Sequence, residues 1–90
     1  MRYLLGEIAA AVGGYVVGDK DFIIERIVTD SRGAGVRSSD LFIALCGTNH
    51  NGHDFISQMY TFGVRAFMVN ECEQSKLPVD ANAIVVKDIL

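Results

Sequence analysis

Ninety residues, half of them apolar and only one a proline, suit one compact domain and exclude a disordered chain. A formal charge of −3, from 8 Lys and Arg against 11 Asp and Glu with no basic cluster, argues against long nucleic acid as a partner. A small anion stays open, because a few backbone N–H groups are enough to hold one.

A chain this short buries about 60 to 65% of its extended area, so a ligand belongs in a surface cleft or against another domain. No apolar run approaches the roughly 20 residues that span a bilayer, the N-terminus lacks a signal-peptide pattern, and Cys46 and Cys72 make no disulfide framework. These features predict a cytoplasmic protein with no membrane partner.

Leu5, Ile8 and Val12 repeat at helical spacing and Gly13-Gly14 stops them, which predicts an amphipathic helix over residues 3–12. A short strand at 15–17, a turn at 18–21 and a β-rich stretch at 22–28 follow, and the two strands pair as a hairpin if the turn is tight. Residues 33–40 read as a loop. Leu41-Phe42-Ile43-Ala44-Leu45 is apolar at every position and suits a central strand covered on both faces.

After a loop at 47–52, Phe55, Met59 and Phe62 share a helical face with Ile56 and Tyr60 beside them, and Gly63 ends the helix. Buried strands are expected at 66–69 and 83–86, on either side of a polar stretch. Strand, helix, strand over 41–69 is a βαβ unit, so the fold class is α/β. The expected domain has two or three layers and a mixed sheet containing that parallel unit, plus an N-terminal helix and a β-hairpin. The chain stops at Leu90 without a tail, which reads as one domain, residues 1–90, cut from a larger protein.

The phosphate loop, the dinucleotide fingerprint and the nucleophile elbow are all absent, which argues against a free-standing ATPase, dehydrogenase or hydrolase. Cys46, His50, His53 and Asp54 include zinc-type ligands, but their spacing matches no common zinc pattern, and Cys46 at a strand end reads as a small core residue. A Ser31, His53, Asp54 triad is disfavoured because a residue seldom orients the imidazole of its own neighbour.

Two polar segments bracket the apolar run. Gly47 to Gly52 leads into a helix whose first N–H groups lack intrahelical partners, and Gly52 would let a phosphate approach the backbone. Equally, Asn51 or Asp54 caps the helix and Gly52 only makes a turn. Thr29-Asp30-Ser31-Arg32 is open in the same way: a ligand contact, or a local turn in which Arg32 pairs Asp30 or Asp40.

Val28-Thr29-Asp30-Ser31-Arg32, Asp40-Leu41-Phe42-Ile43-Ala44-Leu45-Cys46-Gly47, Asn51-Gly52-His53-Asp54-Phe55-Ile56 and Gly63-Val64-Arg65-Ala66-Phe67-Met68-Val69, read in register, resemble the N-terminal domain of the Mur ligases. The resemblance covers most of residues 24–90. Those enzymes join an amino acid or dipeptide to a UDP-N-acetylmuramoyl substrate in peptidoglycan synthesis, with ATP and Mg2+. Their N-terminal domain holds the UDP end, the central domain carries the ATP loop, and the C-terminal domain helps bind the amine.

The resemblance implies that this chain alone has no catalytic residue, cofactor or metal, and that its partners are UDP-N-acetylmuramoyl-tripeptide and the central ATPase and C-terminal domains of the same protein. Thr29 and Ser31 would face uracil or ribose, and Thr48, Asn49, His50, Asn51 and Gly52 would line the uridine and pyrophosphate, with Asp30 and Arg32 bracing the loop. Asn51-Gly52-His53, Met59-Tyr60 and Val85-Val86-Lys87-Asp88 look most like the member that adds D-alanyl-D-alanine, in versions fused to an alanine racemase, where pyridoxal phosphate would enter. The member adding the third stem residue is the close competitor. The sequence departs from the family at Ser39, often Gly, and at Asn51, often Asp. A rival of another class is a non-catalytic interaction module.

Overall fold

The computed structural model describes residues 2–30, 35–48 and 50–89. The chain opens with strand β1 (Tyr3–Leu4) and turns at once into helix α1 (Leu5–Val12), two residues later than the predicted start. The carboxylate of Glu7 accepts the Leu4 N–H at 2.8 Å, placing negative charge where the helix has unpaired donors. Gly13 ends the helix at φ 73°, a left-handed conformation that glycine adopts without a Cβ penalty.

Gly14 then passes so close to the sheet that a Cβ would lie 2.7 Å from the Val85 carbonyl oxygen. This contact lays strand β2 (Tyr15–Val17) antiparallel on strand β7 (Asn82–Val86), with Val16 opposite Ile84. Residues 15–17 and 22–28 therefore do not pair with each other. The Asn82 side chain accepts the Asp19 N–H at 2.9 Å, so the turn expected to close a hairpin is held against β7 instead.

The 22–28 stretch divides at Glu25. Strand β3 (Ile23–Ile24) pairs antiparallel with β1, and strand β4 (Arg26–Val28) pairs parallel with strand β5 (Asp40–Ile43). The small antiparallel pair near the N-terminus is thus present, with β1 and β3 as its strands. Glu25 marks the switch by donating its N–H to Ser39 O at 2.9 Å.

The main sheet has the order β2-β7-β6-β5-β4, where strand β6 is Ala66–Asn70, and β4 through β7 all run parallel. Alternate residues of its strands enter two cores. Leu41, Met68 and Ile84 pack with Leu5 and Ala9 of α1 and Ile24 of β3 on one face. Phe42, Phe67 and Val85 pack on the other with Ile56 and Met59 of helix α2 (Ile56–Thr61). The α/β fold with a mixed sheet is as expected, in three layers.

Two expectations shift. The Leu41–Leu45 run leaves the sheet after Ile43, and Leu45 is 39% exposed. A 3-10 turn, Gly52–Phe55, precedes α2, and its three-residue period displaces the phase of the apolar stripe. Ile56 and Met59 are buried while Phe62 is exposed, so the inward pair is not the one the spacing predicted. The polar stretch after β6 holds a second 3-10 helix, Glu71–Lys76, which no apolar periodicity announced.

Candidate functional site

Because β4 through β7 are parallel, their carboxyl ends share one edge, the edge at which open α/β sheets take ligands. Val28 lies opposite Phe42, so the chain leaving β4 at Thr29 and the chain leaving β5 toward residues 45–52 emerge side by side. This register brings the two polar segments together. Thr29, Asp30, Thr48 and His50 are exposed there, while Ser31, Arg32 and Asn49 lie outside the described residues.

The second segment folds on itself. Cys46 and Asn51 form an antiparallel bridge, Gly47 N–H donates to His50 O at 2.6 Å, and Gly52 N–H donates to Leu45 O at 2.6 Å. At Gly52 a Cβ would meet Leu45 N at 2.7 Å and Leu45 O at 2.8 Å. The approach that Gly52 permits is therefore the protein's own backbone. His50 stands outside the bridge with its ring stacked on Phe55, centroids 5.1 Å apart and planes 22° apart.

Asn51 caps the following turn, its Oδ1 accepting the His53 N–H at 3.0 Å, while Asp54 N–H donates to Asn51 O at 3.0 Å. The N–H groups of Gly52, His53 and Asp54 are thus taken within the protein, and the cap that the sequence offered at Asn51 is present. Asn51 and Gly52 shape the loop, and Thr48 and His50 are among its described residues that are exposed to solvent.

Behind the loop stands His53, 1% exposed. Its Nε2 lies 2.9 Å from the Asn70 backbone N–H, which can only donate, so Nε2 is the acceptor and Nδ1 carries the proton. Nδ1–H then donates to Asn51 Oδ1 at 2.7 Å. Burial lowers the His53 pKa from its ordinary value, outweighing the attraction of nearby Glu73, and the ring is neutral. Asn51 Nδ2 in turn donates to Glu73 Oε2 at 2.5 Å, and Lys76 joins Glu73 at 3.2 Å to Asp54 at 3.0 Å.

These bonds bear on three sequence readings, and revise the one for Cys46. Asp54 pairs with Lys76, and the His53 ring is oriented by Asn51 and Asn70, which leaves no triad geometry. Cys46 is exposed and sits in the loop, with Sγ 3.5 Å from His53 Nδ1, rather than in the core. Among the described residues no three His, Cys, Asp or Glu side chains are grouped to hold a metal ion.

At the amino ends of β4 and β5, away from the edge where Thr29 emerges, a second polar cluster forms. Arg26 Nε and Nη2 reach the two Asp40 oxygens at 3.0 and 2.7 Å, and Nη2 also donates to Gly35 O at 2.7 Å. Arg37 N–H donates to the same carboxylate at 2.8 Å. Burial pushes the Asp40 carboxyl up, but the bonds from Arg26 and Arg37 prevail and hold it below the usual carboxylate value. Among the described residues the ion-pair partner of Asp40 is thus Arg26. Sequence reasoning passed over Arg26, Asn70, Glu73 and Lys76; the one usable signal was a charged residue, Asp40, directly before a buried run.

A mixed sheet whose four parallel strands bring polar loops to one carboxyl edge defines an α/β domain of the class that takes ligands at such an edge. The family model "Mur ligase family, catalytic domain" matches residues 24–89, and the chain belongs to the Mur ligase family. Among solved structures it is similar to the UDP-N-acetylmuramoylalanyl-D-glutamyl-2,6-diaminopimelate--D-alanyl-D-alanyl ligase from Acinetobacter baumannii, with TM-score 0.78 and 27% identity over 98% of this chain and 19% of that one. It is also similar to MurF from Acinetobacter baumannii, with TM-score 0.76 and 29% identity over 98% of this chain and 18% of the other. The chain therefore spans about a fifth of the ligases it matches. No curated protein matches. No helix among the described residues is long and apolar enough to cross a membrane.

Proposed function

We propose that this chain is the N-terminal, substrate-holding domain of an ATP-dependent ligase and binds the UDP end of a UDP-N-acetylmuramoyl-tripeptide, to which the whole enzyme adds D-alanyl-D-alanine. The observation that carries the reading is the superposition of nearly the whole chain on a D-alanyl-D-alanyl ligase of which it makes up only a part. Thr29, Thr48 and His50 are the exposed groups at the strand ends suited to uridine and phosphate, with Ser31 and Asn49 assigned from sequence alone.

The sequence lacks a phosphate loop of the kind that cradles ATP. Our reading places ATP and magnesium on the central domain. The contribution of this chain is positioning, in which binding energy at the uridine end places a distant carboxylate for reaction. Two exposed, unpaired cysteines, Cys46 and Cys72, agree with a reducing compartment such as the cytoplasm. Fusion to an alanine racemase rests on loop resemblance alone and is tested by sequence beyond Leu90.

Calorimetric titration of the folded protein with UDP and with UDP-N-acetylmuramoyl-tripeptide tests the reading. Heat from both ligands, larger for the tripeptide, is expected. Silence from both would favour an interaction module instead.

A further inference from the structure

We propose that His53 is a proton-sensitive positioning residue: in its neutral form it latches the loop residue Asn51 to the end of β6 at Asn70, and a proton taken up at Nε2 releases that latch. The geometry is specific to one protonation state. Nε2 accepts from Asn70 N–H at 2.9 Å and Nδ1–H donates to Asn51 Oδ1 at 2.7 Å, so one ring ties the strand end to the loop's cap residue. A proton on Nε2 sets a donor against the Asn70 donor and leaves a buried backbone N–H without its acceptor. The imidazolium must then leave its place, and Asn51 loses its ring partner.

The groups around the ring do not remove this conflict. Asp54 stands on its own turn, Cys46 on the loop, and Glu73 and Lys76 on the 3-10 helix, while β6 presents only the uncharged Asn70 amide. Glu73 Oε2 lies 3.5 Å from Nδ1, but it is shared with Asn51 and Lys76, and it faces the nitrogen that already carries hydrogen. That release of the loop disturbs nucleotide binding rests on the function proposed above; the latch itself does not.

The experiment is NMR of 15N-histidine and backbone amides of the protein, followed from about pH 8 to about pH 5, across the ordinary imidazole range. We expect His53 to show the Nδ1–H tautomer at neutral pH and to titrate below the ordinary histidine midpoint, with the amides of Asn51, Gly52 and Asn70 moving at the same midpoint. His53→Gln should abolish that shared midpoint, and Glu73→Gln, which removes the carboxylate favouring imidazolium, should lower it. An Nε2–H tautomer, or loop amides that move at a midpoint different from the ring's, would overturn the latch; these readouts stand in the parent even where His53→Gln does not fold. Failure to bind UDP at neutral pH is a separate result that counts against the nucleotide reading only.

Discussion

Arg26 holds the Asp40 carboxylate with two nitrogens, at 3.0 and 2.7 Å, directly across the parallel pair β4 and β5 where these two residues are register partners. The carboxylate is 1% exposed and the arginine side chain half exposed, so one end of the bond is buried and the other wet. The pair fixes the amino ends of β4 and β5 against each other, where the chain enters β5. It is the structural counterpart of a feature legible in the sequence only as an acidic residue before an apolar run.

Removing the charge from that buried position should be costly. Asp40→Asn is expected to lower stability by about 2 to 3 kcal/mol, because Arg26 and the Arg37 N–H lose a charged acceptor that nothing replaces. Urea denaturation at neutral pH measures it, and a change within experimental error would show the clamp to be incidental. The carboxyl's pKa is lowered by folding, so its stabilisation is complete above the ordinary value of 3.8 and is lost as pH falls below it, through the folded value.

At Gly52 the expected effect is steric. Gly52→Ala sets a Cβ 2.7 to 2.8 Å from Leu45 backbone atoms, which cannot rotate away as a side chain would, and should destabilise by roughly 1 to 3 kcal/mol. Gly47→Ala is the control, since the nearest atom to its Cβ is His50 O at 3.7 Å, and a change of no more than about 0.5 kcal/mol is expected there. Thermal unfolding of the two variants separates close packing from a general dislike of substitution in the loop.

His53 carries a second pH dependence. Its pKa is lowered in the folded protein, so the unfolded chain takes up the proton first as pH falls. The stabilisation is full above the ordinary value of 6.5 and declines as pH drops from there toward the folded value. Denaturation midpoints measured between about pH 7.5 and about pH 5.5 should decrease in the parent and vary less in His53→Gln. Parallel pH profiles for the two proteins would place the effect on another group.

Thr29 provides a test of the ligand edge that leaves the fold intact. It is exposed just beyond β4, so Thr29→Val should not alter unfolding but should weaken UDP binding by about 0.5 to 1.5 kcal/mol through one lost hydrogen bond. Calorimetry reads this directly. Unchanged affinity would move the uridine contact away from the strand end.

Local pattern made much of the architecture legible. The α1 stripe with its Gly13 stop, the apolar runs of β5, β6 and β7, and the parallel βαβ unit all follow from periodicity and punctuation. The same reasoning paired 15–17 with 22–28 because neighbours in sequence usually pair, and there it failed: the Gly14 and Asn82 contacts that lay β2 on β7 join residues more than sixty positions apart.

The ligand edge divides in the same way. By itself the sequence determined that two polar segments flank a buried strand and that their joint register resembles one ligase family, because residue type and spacing are written along the chain. Only the tertiary structure decided which polar groups are available. Asn51 and Gly52 read from sequence either as a phosphate site or as a cap and turn, and folding occupies the donors and acceptors of Asn51, Gly52 and His53 with Leu45, Asn70 and one another. The physical reason is that a buried polar group must find a partner, and which partner it finds is set by the strand that folding brings alongside.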